Sequence, residues 1–182
     1  MNHWRLATGG PAIVLALLLL SGCSSGKSKW VPASVSGYNH TSAAINHFSV
    51  GPPLGPAGGP NIGPHQGGGK QSCCGVLPRQ WYPMRVLVEW EKDPNVGDSA
   101  NWPERMFSDA WHKRMEQHRA KYTQHRAYVD VPPYGEEFGP IQIHFLPCDQ
   151  VRISTSLLTP YHPKYPDKEF FNFKEPATCH SS

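Results

Sequence analysis

A mainly β domain of α+β type, an antiparallel sheet or sandwich with one principal helix and long Gly/Pro-rich loops, is what this chain of 182 residues predicts. Three observations carry that expectation. Pro and Gly number 19 and 17, beside 6 Trp and 7 Tyr, a mixture that suits short strands joined by turns rather than a helical bundle. Strict apolar/polar alternation, the period of a half-buried strand, is sharpest from Met84 to Trp90. Apolar side chains recur at helical spacing in one stretch, between residues 102 and 122.

Taken in order, the chain opens with Arg5, an uncharged apolar run from Ala12 to Leu20 and then small residues, the layout of a secretory signal. The run is too short to cross a bilayer core, which needs roughly 20 residues. Leu20-Ser21-Gly22-Cys23 resembles the bacterial lipobox, which implies cleavage between Gly22 and Cys23 and acylation of Cys23. Ser24 follows where an aspartate would be read as an inner-membrane retention signal, so the resemblance points to the outer membrane, facing the periplasm. Several acyl chains, at about 0.8 kcal/mol per buried methylene, anchor firmly where one would bind reversibly. Residues 1–22 are thus expected to be removed, 23–33 to form a Ser/Gly/Lys tether, and 34–182 to form a single domain.

Ser34 to Tyr38 and Ile45 to Val50 are rich in β-formers and flank the turn-favouring Asn39, His40, Thr41 and Ser42, which predicts an opening hairpin. From Gly51 to Gly69, 13 of 19 residues are Gly or Pro, which predicts a long mobile loop without a ladder. Met84, Val86, Val88 and Trp90 share one face of the next strand, Arg85 and Glu89 the other, and Asp93, Pro94, Asn95 and Gly97 end it. Asn101 is placed to cap a helix from about Trp102 to Tyr122, with Pro103 and Glu104 in its first turn. Its stripe of Phe107, Trp111, Met115, His118 and Tyr122 reads first as core contact and second as an exposed partner surface. Strands are expected at Ala127 to Val131, Ile141 to Leu146 and Val151 to Ser156. The tail beyond Thr159 carries Pro160, Pro163, Pro166 and Pro176 and the rings of Tyr161, Tyr165, Phe170, Phe171 and Phe173. It is expected to lie extended with its rings in grooves.

Composition excludes some partners. Charged residues make up 17% of the chain and the formal charge is +3, too little basic density for nucleic-acid binding. In an oxidising periplasm Cys73, Cys74, Cys148 and Cys179 are expected to pair. Three pairings are possible. The strained ring of a bond between neighbours favours bridges from Cys73 and Cys74 to Cys148 and Cys179. Neither a C-x-x-C nor a tight Cys/His quartet is present, so no metal or other cofactor is expected beyond the covalent lipid.

Candidate chemistry is sparse. The 10 histidines lack an H-E-x-x-H, and His112 and His118 stand on diverging helix faces. Surface or loop positions are therefore expected for them. No G-x-S-x-G elbow presents a serine. Arg119, Lys121, His125 and Arg126 complement a helix C-terminus, or would meet an acidic partner. Gly67-Gly68-Gly69-Lys70-Gln71-Ser72 fails as a phosphate loop because Gln71 stands where Ser or Thr is required.

Ser36-Gly37-Tyr38-Asn39-His40-Thr41, Ser72-Cys73-Cys74-Gly75, Trp81-Tyr82-Pro83, Val131-Pro132-Pro133-Tyr134 and His144-Phe145-Leu146-Pro147-Cys148, in this order, resemble a family of small bacterial lipoproteins classed only as a domain of unknown function. The resemblance spans about Val35 to Pro166. It implies a non-enzymatic binding protein without catalytic residues, an immunity protein against a type VI secreted antibacterial effector such as a phospholipase. An inhibitor tethered at the membrane would meet such a lipase at high effective concentration. Contacts with the toxin are expected in the Gly51 to Gly69 loop, the Tyr134 to Gly139 connection, with Tyr134, Glu136, Glu137 and Phe138, and the aromatic tail. The alternatives are an envelope or secretion-machine assembly lipoprotein, which its genetic neighbourhood would distinguish, and a small Cys/His metal enzyme, which elemental analysis would distinguish.

Overall fold

The computed structural model describes residues 28–68 and 72–179, and of residues 72–74 the backbone alone. Gly22 and Cys23, with the expected signal and residues 23–27 of the tether, lie outside the described residues, as do Lys70 and Gln71. Among the described residues the chain forms eight strands: β1 (Trp30–Asn39), β2 (Ala44–Val50), β3 (Ala57–Gly59), β4 (Ser72–Pro78), β5 (Arg85–Asp93), β6 (Thr123–Asp130), β7 (Ile141–Leu146) and β8 (Gln150–Ser154). A single α-helix, α1 (Asp109–Arg119), and three short 3-10 turns complete the described elements.

Two four-stranded sheets result, ordered β4-β1-β7-β8 and β3-β2-β5-β6. All ladders are antiparallel except β1 with β7, which run parallel from Val35 beside Ile141 to Asn39 beside Phe145. The mainly β class with one helix is therefore the observed one. Val35, Ile45, Phe48, Val86, Trp90, Ile143 and Phe145 belong to one buried cluster drawn from both sheets. Phe145 sits at its centre, with ring centroids 5.3 Å from Phe48 and 5.7 Å from Trp90. Such aromatic pairs add about 0.5–1.5 kcal/mol beyond the area they bury.

The alternation from Met84 to Trp90 behaves as read: Met84, Val86, Val88 and Trp90 are buried, while Arg85 and Glu89 are exposed. The opening hairpin does not form. β1 and β2 lie in different sheets, because Asn39 turns the chain out of the first. Its Nδ2 donates to Ala43 O at 2.7 Å, and its Oδ1 accepts from Thr41 N at 3.0 Å and Thr41 Oγ1 at 2.9 Å. Nor does the domain begin at residue 34. β1 starts at Trp30, opposite Pro78, because β4, an edge strand with no marked alternation in sequence, pairs with residues assigned to the tether.

The Gly/Pro-rich segment is built into the sandwich rather than free of it. β3 pairs with β2, and Ile62 exchanges backbone hydrogen bonds with Ile45 at 2.8 and 2.9 Å. Gly68 N donates to Gly37 O at 3.0 Å. The glycines serve close approach here: a Cβ on Gly58 would fall inside van der Waals contact with the Phe48 carbonyl, and one on Gly67 would meet the Tyr38 backbone.

Helix α1 is shorter than its apolar spacing predicts. Ser108, not Asn101, is the N-cap, its hydroxyl accepting from Trp111 N at 3.3 Å. Phe107 breaks the pattern with a φ of 66° and is 70% exposed. The upper part of the stripe is thus not core. The helix is held by its C-terminal end, where buried His118 places Nε2 3.0 Å from Asp93 Oδ2 and packs edge-on against Trp102. No described helix is long and apolar enough to cross a membrane.

Candidate functional site

On β7 the sequence Ile-Gln-Ile-His-Phe-Leu alternates as a half-buried strand should, yet all six residues are buried. Ile141, Ile143 and Phe145 face the core. Gln142 and His144 face the other way, beside Ser36 and Tyr38 of the parallel neighbour β1. The C-terminal tail covers this polar face: Tyr165 is buried, and Phe170 and Phe171 bring their ring centroids within 5.0 and 6.0 Å of His144. Three aromatics of the tail thus lie on sheet residues as expected, whereas Tyr161 is 94% exposed.

Under the tail the polar groups form one chain. Gln142 Nε2 donates to Ser156 O at 3.1 Å, which fixes the amide so that Oε1 accepts from the Tyr165 hydroxyl. With its proton so committed, Tyr165 Oη accepts from His144 Nε2 at 3.0 Å. His144 Nδ1 is then bare and accepts from His40 Nε2, also at 3.0 Å. These assignments follow from the bonding network. They leave one lone pair, on His40 Nδ1, which bonds to no described residue.

Burial keeps both imidazoles neutral. Desolvation first, and the neighbouring His40 second, lower the His144 pKa to about 3. Desolvation, then His65, lowers that of His40 to about 4. Desolvation holds the Tyr165 phenol well above its usual range, so it stays protonated. Tyr38 stacks on His144 with centroids 5.0 Å apart and planes 13° from parallel.

The two ends of this chain, Gln142 and His40, line a cleft of about 1180 Å³ between the Gly/Pro segment and the tail. Pro60 to Gly68 form one wall, and Leu157 to Tyr161 with Phe170, Phe171 and Phe173 the other. Among the described residues no Asp, Glu, Lys or Arg lines it. A second, smaller cleft of about 510 Å³ is lined by Val31 to Ser34, Arg79, Glu136 to Pro140 and Leu157. Of the three segments expected to meet a partner, the Gly/Pro segment and the tail converge on the large cleft. The Tyr134 to Gly139 connection belongs to the small one. There Glu136 and Glu137 are exposed, while Tyr134 is partly buried, its ring 5.0 Å from Phe138 and its hydroxyl donating to Pro78 O at 2.8 Å. Tyr134 and Phe138 therefore hold the connection in place.

Cys148 is bonded to Cys179, with Cα atoms 5.3 Å apart, so neither can bridge to Cys73 or Cys74 as the strain argument favoured. Cys148 sits on the turn after β7 with a φ of 60°, and the bond ties the end of the tail to that turn. Cys73 and Cys74 fall in β4; their side chains are not among those described. The histidines are not all at the surface either: His40, His118 and His144 are buried. Among the described residues no group of three or more His, Cys, Asp or Glu could hold a metal ion.

Missed by sequence reading were Gln142, His144, His40 and Tyr165. The signal was the polar pair at alternate positions of β7, which reads as a solvent face unless the aromatic tail is recognised as its cover. The family model of DUF3304, described as a protein of unknown function, matches residues 38–153, more than half of the chain. The chain belongs to the DUF3304 family. The matched DUF3304 segment contains Tyr38, His40, Gln142 and His144, whereas Tyr165 and the covering tail lie beyond it. Neither a curated protein nor a solved structure matches the chain.

Proposed function

We propose that this DUF3304 protein is a lipoprotein of the bacterial envelope, anchored through Cys23 in the outer membrane and facing the periplasm, that works by binding. Its partner in this reading is a secreted toxin, a type VI effector such as a phospholipase, which it inhibits without catalysis as an immunity protein. One observation carries the binding part: the large cleft is open, walled by aromatic and proline side chains, and lined by no charged side chain among the described residues. Aromatic surface with few fixed polar groups suits recognition, since rigid rings bury much area at low entropic cost. A general base near neutral pH would need a pKa close to 7, and His40 and His144 are held far below it, first by burial and then by a neighbouring imidazole, His65 for His40 and His40 for His144. The partner segment that enters is therefore uncharged and brings a hydrogen-bond donor to His40 Nδ1.

Co-expression with a type VI phospholipase effector from the same genome, followed by pull-down and a growth assay, tests the reading. Protection and capture are expected for the parent chain. Their loss is expected when Tyr161 and Phe173, exposed cleft walls with little role in the core, are replaced together by Ser. A chain that neither binds the toxin nor protects against it refutes the immunity function.

A further inference from the structure

The way the domain sits on its membrane follows from the length of β1 and the shortness of the segment before it. Cys23 precedes Trp30 by seven residues, so even fully extended the connection spans at most about 25 Å. From Trp30, β1 runs eight residues to Tyr38, a rise of about 26 Å, and Tyr38 lines the large cleft. With the cleft turned toward the bilayer, the tether would have to be fully extended merely to match the length of β1, which disfavours that orientation. A domain lying on its side would still satisfy the tether.

The surface at the tether end selects between the remaining orientations. Arg79 N donates to Lys29 O at 2.7 Å and its Nε donates to Ser28 O at 3.2 Å, so two basic residues meet where the chain enters the domain. Trp30 stands opposite Pro78 and is 39% exposed. Tyr82, 46% exposed, lies on the segment that leaves β4, which is pinned by Trp81 Nε1 donating to Val131 O at 3.1 Å and by Tyr134 on Pro78 O. Indole and phenol rings favour the headgroup level of a bilayer, and Lys and Arg beside them favour anionic lipid. Glu136 and Glu137 share the small cleft with Arg79 and Val31 and offset the basic charge there, so the Trp30 and Tyr82 rings, rather than net charge, carry the contact with lipid.

We infer that Lys29, Trp30, Arg79 and Tyr82 form a bilayer-facing end that docks the domain upright on the lipid surface and presents the large cleft to the periplasm at the far end of β1. The inference rests on the lipoprotein reading, through the anchor at Cys23. It does not depend on the identity of the toxin. The small cleft, near the docked end, is then the less accessible of the two to a partner arriving from solution.

The mature lipidated chain in vesicles of phosphatidylcholine and phosphatidylglycerol provides the test, with brominated phosphatidylcholine as a quencher of tryptophan emission. The intact mass first reports whether Cys23 carries lipid. Trp30→Phe is expected to reduce the quenching at least about twofold, because Trp30 is the exposed interfacial indole. Trp111→Phe, on the helix, is expected to leave it unchanged. Tyr82→Trp adds a reporter to the same end and raises the quenched fraction, which keeps the test decisive should Trp30→Phe misfold. A lipidated chain in which neither Trp30→Phe nor Tyr82→Trp alters the quenching overturns the docked orientation while leaving the anchor intact. An unlipidated mass overturns the orientation and the lipoprotein reading together.

Discussion

The two clefts that share Pro140 and Leu157 are built in opposite ways. In the small one, charge sits at the rim on exposed Glu136, Glu137 and Arg79, where water already solvates it and no structure is needed to hold it. In the large one, polarity lies beneath the surface, and each of Gln142, Tyr165, His144 and His40 depends on the next for a partner. An unpaired buried polar group costs about 1–3 kcal/mol, so this chain specifies the position of the tail that completes it. Surface charge leaves the small cleft adjustable. Mutual satisfaction makes the large cleft a fixed shape.

Releasing the tail gives the largest effect. Cys148 and Cys179 are 31 residues apart, and a bridge closing a loop of that length contributes about 3–4 kcal/mol in the chain-entropy model. Cys148→Ser with Cys179→Ser is expected to lower stability by that order in chemical denaturation. It is also expected to speed hydrogen exchange at residues 159–175 while leaving Val31 to Ser34 and the small cleft unaltered. Equal exchange in the tail of parent and variant would show that Tyr165 and the Phe170 and Phe171 rings hold it without the bond.

The wall opposite the tail comes next. Gly58→Val forces side-chain atoms into the Phe48 carbonyl, and overpacking of this kind costs about 1–3 kcal/mol. β3 should detach from β2 and the large cleft widen, seen as lost protection of the Ala57–Gly59 amides. Unchanged protection there would mean that the strand can shift to accept the side chain.

Legibility in the sequence divides along the same line. β5 was readable because its two faces meet different environments, Val86, Val88 and Trp90 in the core and Arg85 and Glu89 in water, so composition and burial agree. β7 was readable as a strand with the right ends, but the role of Gln142 and His144 was not. Their face is covered by residues about twenty positions downstream, and a period of two reports alternation without saying what lies on either side. The Gly/Pro segment misled for a related reason: glycine that permits close backbone approach is indistinguishable in sequence from glycine that confers freedom. The helix was over-extended because Phe107 and Trp111 kept a helical spacing across a break at Ser108 that tertiary contacts dictate. Bonding Cys148 to Cys179 required knowing that the tail returns to the end of β7.

A narrower change probes the buried chain without moving either wall. Tyr165→Phe keeps the ring but removes the hydroxyl between His144 Nε2 and Gln142 Oε1. Two buried groups lose their partner, at an expected cost of about 2 kcal/mol. The denaturation midpoint should fall by that order, and the small cleft should stay unperturbed by amide shifts. A neutral outcome would show that the tail is loose enough for water to replace the phenol.

Acidification is the gentlest probe and separates the clefts without mutation. The folded-state pKa of His144, about 3, lies below the ordinary imidazole value, so as pH falls through about 6.5 the unfolded chain takes up a proton that the folded chain refuses. Stability associated with His144 is therefore full above neutral pH and declines progressively down to about 3, with a loss of about 1–2 kcal/mol by pH 5. His40, lowered to about 4, adds a loss of the same sign. Side-chain NMR checks this directly: the His144 and His40 ring signals should hold their neutral positions through pH 5. Amide signals around Glu136 and Glu137 report the small cleft in the same spectra. Ring signals that titrate near 6.5 would show that water reaches the pair, and with it that the large cleft is held no more tightly than the small one.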